Sequence, residues 1–305
     1  MKIIANKIQI AVADSAEESP AHAARPVVLL IMGLGMQLIA WPPAMVQGLV
    51  DAGFRVLRFD NRDIGLSQHF DELKTPNLLW AGLKFRMGWR IRPPYTLQDM
   101  AGDALGVLDA MKISQAHVVG VSMGGMIAQW LALVAPGRVC SLTSVMSSSG
   151  ARGLPEATAK VSRALLNRPA GKSLQAEIDH SVKLFKLIGS PGFPTDDALL
   201  RSRVVAATER SRYPQGLMRQ MVAIAADAQR AEALSRIAVP TLVVHGKADP
   251  LVPFACGEDT ARRIPGARLQ LIDGMGHDLA PGVVERLLPL LVAHFEAASA
   301  ATSLP

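Results

Sequence analysis

The feature that most restricts what this chain can fold into is a repeated pairing: a short apolar run, then a stretch with helical spacing. Residues 27–32 read VVLLIM, with no polar side chain to turn toward water, as a strand covered on both faces requires. Residues 43–52 follow with proline in the first turn of a helical pattern and Gly53 closing it. The strand half recurs at 54–59 (FRVLRF), 117–121 (HVVGV), 139–146, 241–245 (TLVVH) and 268–272 (RLQLI). The helical half recurs at 97–111, 123–134, 254–264 and 281–298, with Thr96 placed to cap the first of these. Strands separated by helices pair in parallel and are covered on both faces. The expectation is therefore α/β class, a mostly parallel central sheet with helices on both sides.

Two stretches break the alternation. Residues 154–234 carry helical patterns only, punctuated by Pro169, Gly171, Pro191, Gly192, Pro194 and Pro214, with Ser173 and Thr195 as N-cap candidates. A helical block inserted between two strands is expected to sit over the sheet edge as a cap. The division expected is thus a core of residues 1–150 and 237–305, with a cap of 151–236. The cap stretch holds 14 Lys and Arg against 8 Asp and Glu, so the whole formal excess of +6 belongs to it. A solvated helical surface accounts for that excess, and mild steering of an acidic substrate is the sharper alternative. Residues 68–95 read either as a lid-like connection or as a helix packed on the body. Trp41, Trp80 and Trp89 lie in or near loops at one end of the sheet and hint at an apolar pocket.

The beginning, MKIIANKIQIAVAD, alternates apolar and polar residues like a strand and lacks the continuous apolar core of a signal peptide. No run approaches 18 apolar residues, so no membrane span is expected. Cys140 and Cys256 stand apart from any metal-spaced cluster and read as unpaired thiols of a cytoplasmic protein. Nucleic-acid binding is not expected, since no motif for it is present and the basic residues do not read as interleaved with exposed aromatics.

Between the run 117–121 and the helical segment 123–134 stands Gly120-Val121-Ser122-Met123-Gly124-Gly125. This fits G-x-S-x-G, where a sharp strand-to-helix turn lifts the serine hydroxyl above the sheet and glycine is needed two residues to either side. A serine hydroxyl needs a base, and the base needs an orienting acid. In the chain order Ser, acid, His, the base expected is His277 in DGMGHD, after the run 268–272. The acid expected is Asp249 in HGKADP, after the run 241–245. Asp273 ranks below it, and Asp278 is too close in sequence to reach its neighbour's ring. Attack would create an oxyanion. The N–H groups of Met123 and Leu34 are its expected donors, with Gly33 and Gly35 freeing the backbone for close approach. Gly33, Gly35 and Trp41 are the candidate substrate contacts.

Together these residues resemble the α/β-hydrolase superfamily, serine-esterase branch, over residues 25–298. RFDNRDIGLS (58–67) is similar to the D-x-R-x-x-G-x-S stretch of that superfamily, and with MGLG and GVSMGG it resembles the aclacinomycin-methylesterase-like members. The resemblance implies the α/β-hydrolase fold and hydrolysis of a carboxylic ester through an acyl-enzyme, without cofactor or metal. Ser122, Asp249 and His277 match its triad positions, and Leu34 and Met123 its oxyanion donors. Many members carry His-Gly where this chain has Met32-Gly33, a change that leaves the backbone donors in place.

The partner expected is a small-molecule ester of small to medium hydrophobic character; homo-oligomer formation stays open. Three alternatives use the same scaffold: a C–C bond hydrolase of ring-fission products, a cofactor-free haloperoxidase or perhydrolase, and a non-catalytic ligand receptor. The first usually carries an aromatic residue directly after the histidine, where this chain has Asp278 and Leu279.

Overall fold

A computed structural model of the chain describes residues 1–17, 19–167, 171 and 173–302; Pro169 lies outside the described residues. The elements run β1 (Lys2–Ala5), β2 (Ile8–Asp14), β3 (Val27–Ile31), α1 (Pro43–Asp51), β4 (Arg55–Phe59), α2 (Leu78–Arg86), α3 (Leu97–Ala110), β5 (Ala116–Val121), α4 (Met123–Val134) and β6 (Val139–Val145). After β6 come α5 (Ala159–Leu166), α6 (Leu174–Ile188), α7 (Asp197–Arg210), α8 (Pro214–Ala225) and α9 (Arg230–Ala233). The chain then closes with β7 (Thr241–Gly246), α10 (Ala255–Arg263), β8 (Arg268–Ile272) and α11 (Pro281–Thr302).

The eight strands form one sheet in the order β1-β2-β4-β3-β5-β6-β7-β8. The first two join antiparallel, and β2 meets β4 antiparallel; every later pair is parallel. Alternation along each strand sorts the core into two layers. Leu29, Ile31 and Val118 pack with α3 and α4 residues such as Met100, Ala104, Ile127 and Leu131. Val28, Leu30, Val119 and Val121 pack on the other face with Met45 and Leu49 of α1 and Leu287, Leu291 and Phe295 of α11. All six residues of β5 are buried, as the middle of a doubly covered sheet demands, and the one polar side chain among them, His117, is hydrogen-bonded to the Ser141 hydroxyl.

Helix ends follow local chemistry. Thr96 caps α3 in a full capping box with Asp99, and Ser173 caps α6 by accepting from the Ala176 N–H. At α7 the cap is Asp196 rather than Thr195. Its carboxylate reaches the N–H groups of both Ala198 and Leu199, which a residue one place earlier is not positioned to do. Within 68–95 a helix does form, α2, capped by Asn77, yet Ala81 is its only buried residue. The helix reading of that stretch therefore holds in its element, a helix resting on α8, while most of its side chains face water. The three tryptophans do not share a pocket. Trp41 is wholly buried, whereas Trp80 and Trp89 are half-exposed and meet edge to face.

Between β6 and β7 the described chain is helical, and buried ion pairs tie α7 and α8 to the loop after β4. Arg219 of α8 forks onto both oxygens of Asp63 (2.7 and 3.0 Å) and also donates to the Leu73 carbonyl and the Tyr213 hydroxyl. Arg210 of α7 pairs with Asp60 at 2.8 Å. Both side chains of the Asp63–Arg219 pair are out of water, so loss of one partner strands the other's charge. Asp63→Ala should cost about 3–5 kcal/mol in urea unfolding. Lys186→Ala, which breaks the exposed pair with Asp197, should cost less than about 1 kcal/mol. Similar losses for both would contradict the assignment of the linkage to buried charge.

Candidate active site

The carboxyl ends of the parallel strands gather the residues singled out from the sequence, as open α/β sheets do. Ser122 follows β5 directly, with φ 54° and ψ −123°, a left-handed backbone that a non-glycine residue adopts only when its surroundings force it. The neighbours do force it. A Cβ on Gly120 would stand 2.1 Å from the Gly124 carbonyl oxygen, and one on Gly124 would stand 2.1 Å from that of Ile31. The turn is also pinned: the Ser122 N–H donates to the Val145 carbonyl at 2.9 Å, and the Ser147 hydroxyl donates to the Ser122 carbonyl at 2.7 Å.

The Ser122 hydroxyl lies 3.0 Å from His277 Nε2, and His277 Nδ1 lies 2.7 Å from Asp249 Oδ2. A carboxylate only accepts, so Nδ1 carries the proton and Nε2 accepts from the serine O–H. Asp249 follows β7 and is held by the N–H groups of Leu251 and Val252, which donate to its other oxygen. Burial pushes this carboxyl up, but the positive charge the His277 ring takes on when protonated and the converging donors outweigh it and bring it down to about 2. Asp273 is exposed and paired with Lys247, away from the ring. Asp278 instead accepts from the Ser190 hydroxyl at 2.5 Å. His245 is wholly buried and donates from Nε2 to the Val252 carbonyl.

The loop after β3 lies against the serine. A Cβ on Gly33 would be 3.1 Å from Ser122 Cβ and 3.3 Å from the Val121 carbonyl oxygen, so any side chain there would crowd the serine. Among the described residues neither the Leu34 nor the Met123 N–H has an acceptor. Gly35 adopts φ +68° and donates its N–H to Gln220 Oε1 at 3.0 Å, while Gln220 Nε2 donates to the Arg62 carbonyl. Gln37 donates to the Ala207 carbonyl and accepts from Arg210. Helices α7 and α8 thus grip both ends of this loop. The His277 loop is held comparably: its N–H donates to the Ile188 carbonyl at 2.7 Å, and Ser190 Oγ accepts from the Gly276 N–H. Trp41 has no accessible surface and belongs to the core layer that α1 and α11 cover.

Sequence reasoning did not single out Ser147, Ser190 or Gln220. The last two lie in the helical stretch with no spacing to mark them, and only folding brings them to the loops they hold. The 58–67 stretch did carry a signal. Asp60 accepts from the N–H groups of Leu38 and Leu66, and a Cβ on Gly65 would fall 2.2 Å from an Asp60 oxygen. Among the described residues no cluster of three or more His, Cys, Asp or Glu is arranged to hold a metal ion, and no helix is long and apolar enough to cross a membrane.

Comparison with known proteins places the scaffold. Residues 26–280 match the family described as alpha/beta hydrolase fold. Rhodomycin D methylesterase DauP of Streptomyces sp. (strain C5) is 32% identical over 292 residues, covering 89% of this chain and 91% of that protein. Rhodomycin D methylesterase DnrP of Streptomyces peucetius is 31% identical with the same coverage. Among solved structures, an esterase from Exiguobacterium antarcticum superposes with TM-score 0.74 at 21% identity, over 97% of this chain and 99% of that one. A meta-cleavage product hydrolase from Pseudomonas fluorescens IP01 does so with 0.74 at 19% identity, over 98% of each chain. At those identities the structural likeness speaks for the fold alone.

The lowered Asp249 carboxyl has a measurable sign. Its folded value, about 2, lies below its ordinary 3.8, so its ionised form stabilises the native state above about pH 4 and that contribution fades as pH falls toward 2. The stability gap between the wild type and Asp249→Asn, followed by urea unfolding, should therefore shrink over that window. A gap that stays constant or widens would contradict the arrangement.

Proposed function

The chain belongs to the alpha/beta hydrolase fold family, and on that premise we propose that this ester-bond hydrolase works as a serine carboxylesterase. Ser122 is the nucleophile, His277 the base and Asp249 the orienting acid; Leu34 and Met123 supply the oxyanion donors. The observation that carries this reading is the continuous hydrogen-bonded line from the Ser122 hydroxyl through His277 to Asp249, set on a strained turn.

In the proposed reaction Ser122 Oγ attacks the ester carbonyl carbon as its proton passes to His277 Nε2. The carbonyl oxygen takes the negative charge and accepts from the two free backbone N–H groups, each worth about 3–4 kcal/mol in the transition state. Collapse of the tetrahedral adduct breaks the bond to the alkoxy oxygen, which leaves as the alcohol with the proton from His277. Water then attacks the acyl-enzyme, giving its proton to His277, and the second collapse returns that proton to Ser122 and frees the carboxylic acid. Asp249 keeps the imidazole in the needed tautomer and stabilises its charged form.

The helical stretch 151–236 acts in this reading as a cap. Its support is the grip of α6, α7 and α8 on the loops carrying His277 and Leu34. The substrate is a carboxylic ester of small to medium hydrophobic character. Methyl esters belong in the test panel because DauP and DnrP are described as methylesterases. Gly33 and Gly35 let the acyl group lie close to the backbone.

Initial rates on p-nitrophenyl and methyl esters of increasing acyl length test the proposal. Ser122→Ala should abolish nearly all turnover with the fold intact, and Asp249→Asn should lower it on the order of 10⁴-fold. A loss below about tenfold in the latter would assign the acid elsewhere. Gln220→Leu strands the Gly35 N–H and the Arg62 carbonyl and loosens the donor loop. It should lower kcat by about tenfold or more while KM moves little; an effect on KM alone would contradict a role in transition-state positioning.

A further inference from the structure

Helix α2 presents an apolar face to solvent. Leu79, Leu83 and Met87 recur every four residues and line one side of the helix, with Trp80 beside them. Leu79 is 82% exposed, Met87 57% and Trp80 50%. Trp89, 51% exposed, meets Trp80 edge to face, and Phe85 and Leu83 are each nearly half-exposed. Lone exposed apolar residues are unremarkable, but a contiguous row with two tryptophans marks a surface meant to be covered. The helix rests on α8 and buries Ala81, and among the described residues nothing covers the outer row.

Along the segment that carries the row the charge is all of one sign. Residues 73–98 contain Lys74, Lys84, Arg86, Arg90 and Arg92 and no Asp or Glu. Among the described residues none of these five has an ion-pair partner, and Lys84 sits over the Trp80 ring at 5.4 Å. Apolar residues with tryptophans at the margin and cations flanking them are the composition of a helix that lies in a membrane interface. There the aromatic rings settle at the headgroup level, and the long cationic side chains reach anionic phosphates while their stems cover acyl chains. A second copy of this chain is a poor occupant, because pairing the faces would bring five cations against five. The sequence reading set nucleic acid aside for want of cations interleaved with exposed aromatics, yet residues 80–92 do interleave them. Even so, the row that faces outward most, Leu79 and Met87, is aliphatic and offers no stacking surface for bases.

We propose that α2 and the segment through Arg92 dock the protein onto an anionic lipid surface, lying in the interface without spanning it. The test is sedimentation of the intact protein with phosphatidylcholine vesicles, with or without about one third phosphatidylglycerol, at low and physiological salt. The anionic vesicles should retain at least about tenfold more protein than neutral ones, salt should weaken retention, and tryptophan emission should shift to the blue on binding. Leu79→Ser with Met87→Ser changes only exposed side chains, so the melting curve should stay put while retention falls about tenfold. Arg86→Glu with Arg90→Glu should also abolish retention on the anionic vesicles. Equal retention on both vesicle types, or retention untouched by the serine pair, overturns the proposal. So does self-association, or capture of a single-stranded oligonucleotide, that these variants abolish while vesicles bind nothing.

Discussion

The structure hangs on a backbone conformation that the serine would not choose. Ser122 is held at positive φ because β5 delivers the chain to a point from which α4 must start at once, close under β3. Strain of this kind costs on the order of 1–3 kcal/mol and survives only where the surroundings over-determine it. Here they do: Gly120 and Gly124 remove the side chains that would collide, β6 accepts the Ser122 N–H, and Ser147 takes the Ser122 carbonyl. The strained turn is what leaves the hydroxyl above the sheet and the Met123 N–H without an acceptor. Hydroxyl and amide are therefore presented together.

Around this point the sheet supplies position and the helical stretch supplies restraint. Parallel strands β5, β7 and β8 end side by side or nearly so, which is why residues 127 positions apart in sequence, Ser122 and Asp249, can share one imidazole. The loops that carry Leu34 and His277 lack regular structure. Ile188, Ser190, Gln220 and Arg210, all from the helical stretch, hold them by hydrogen bonds and a charge pair. Any motion of α7 and α8 would thus be felt at the loop that carries Leu34.

The core was legible from local patterns. Continuous apolar runs are forced on strands buried on both faces, as β3 is, and β5 through β8 fall within one or two residues of the strand-like runs read from the sequence. The juxtaposition of Ser122, Asp249 and His277 was legible too, because each sits just past a strand whose order the alternation fixes. What was not legible depends on contacts between distant segments. Gln220 is one glutamine in a helix until Gly35 arrives against it. Thr195 is a plausible cap until the fold shows that it is the Asp196 side chain that reaches two amides. The exposure of α2 was hidden for the opposite reason: Leu79, Leu83 and Met87 have the spacing of a buried face, and spacing alone does not reveal that no partner is there.

The most direct measurement is mass spectrometry of the intact and digested protein after exposure to a serine-directed fluorophosphonate. The account requires a single adduct on the Ser122 peptide, formed rapidly in the wild type and at a small fraction of that rate in His277→Ala, because the ring must take the hydroxyl proton. An unmodified Ser122, or an adduct whose rate ignores the loss of His277, would contradict it.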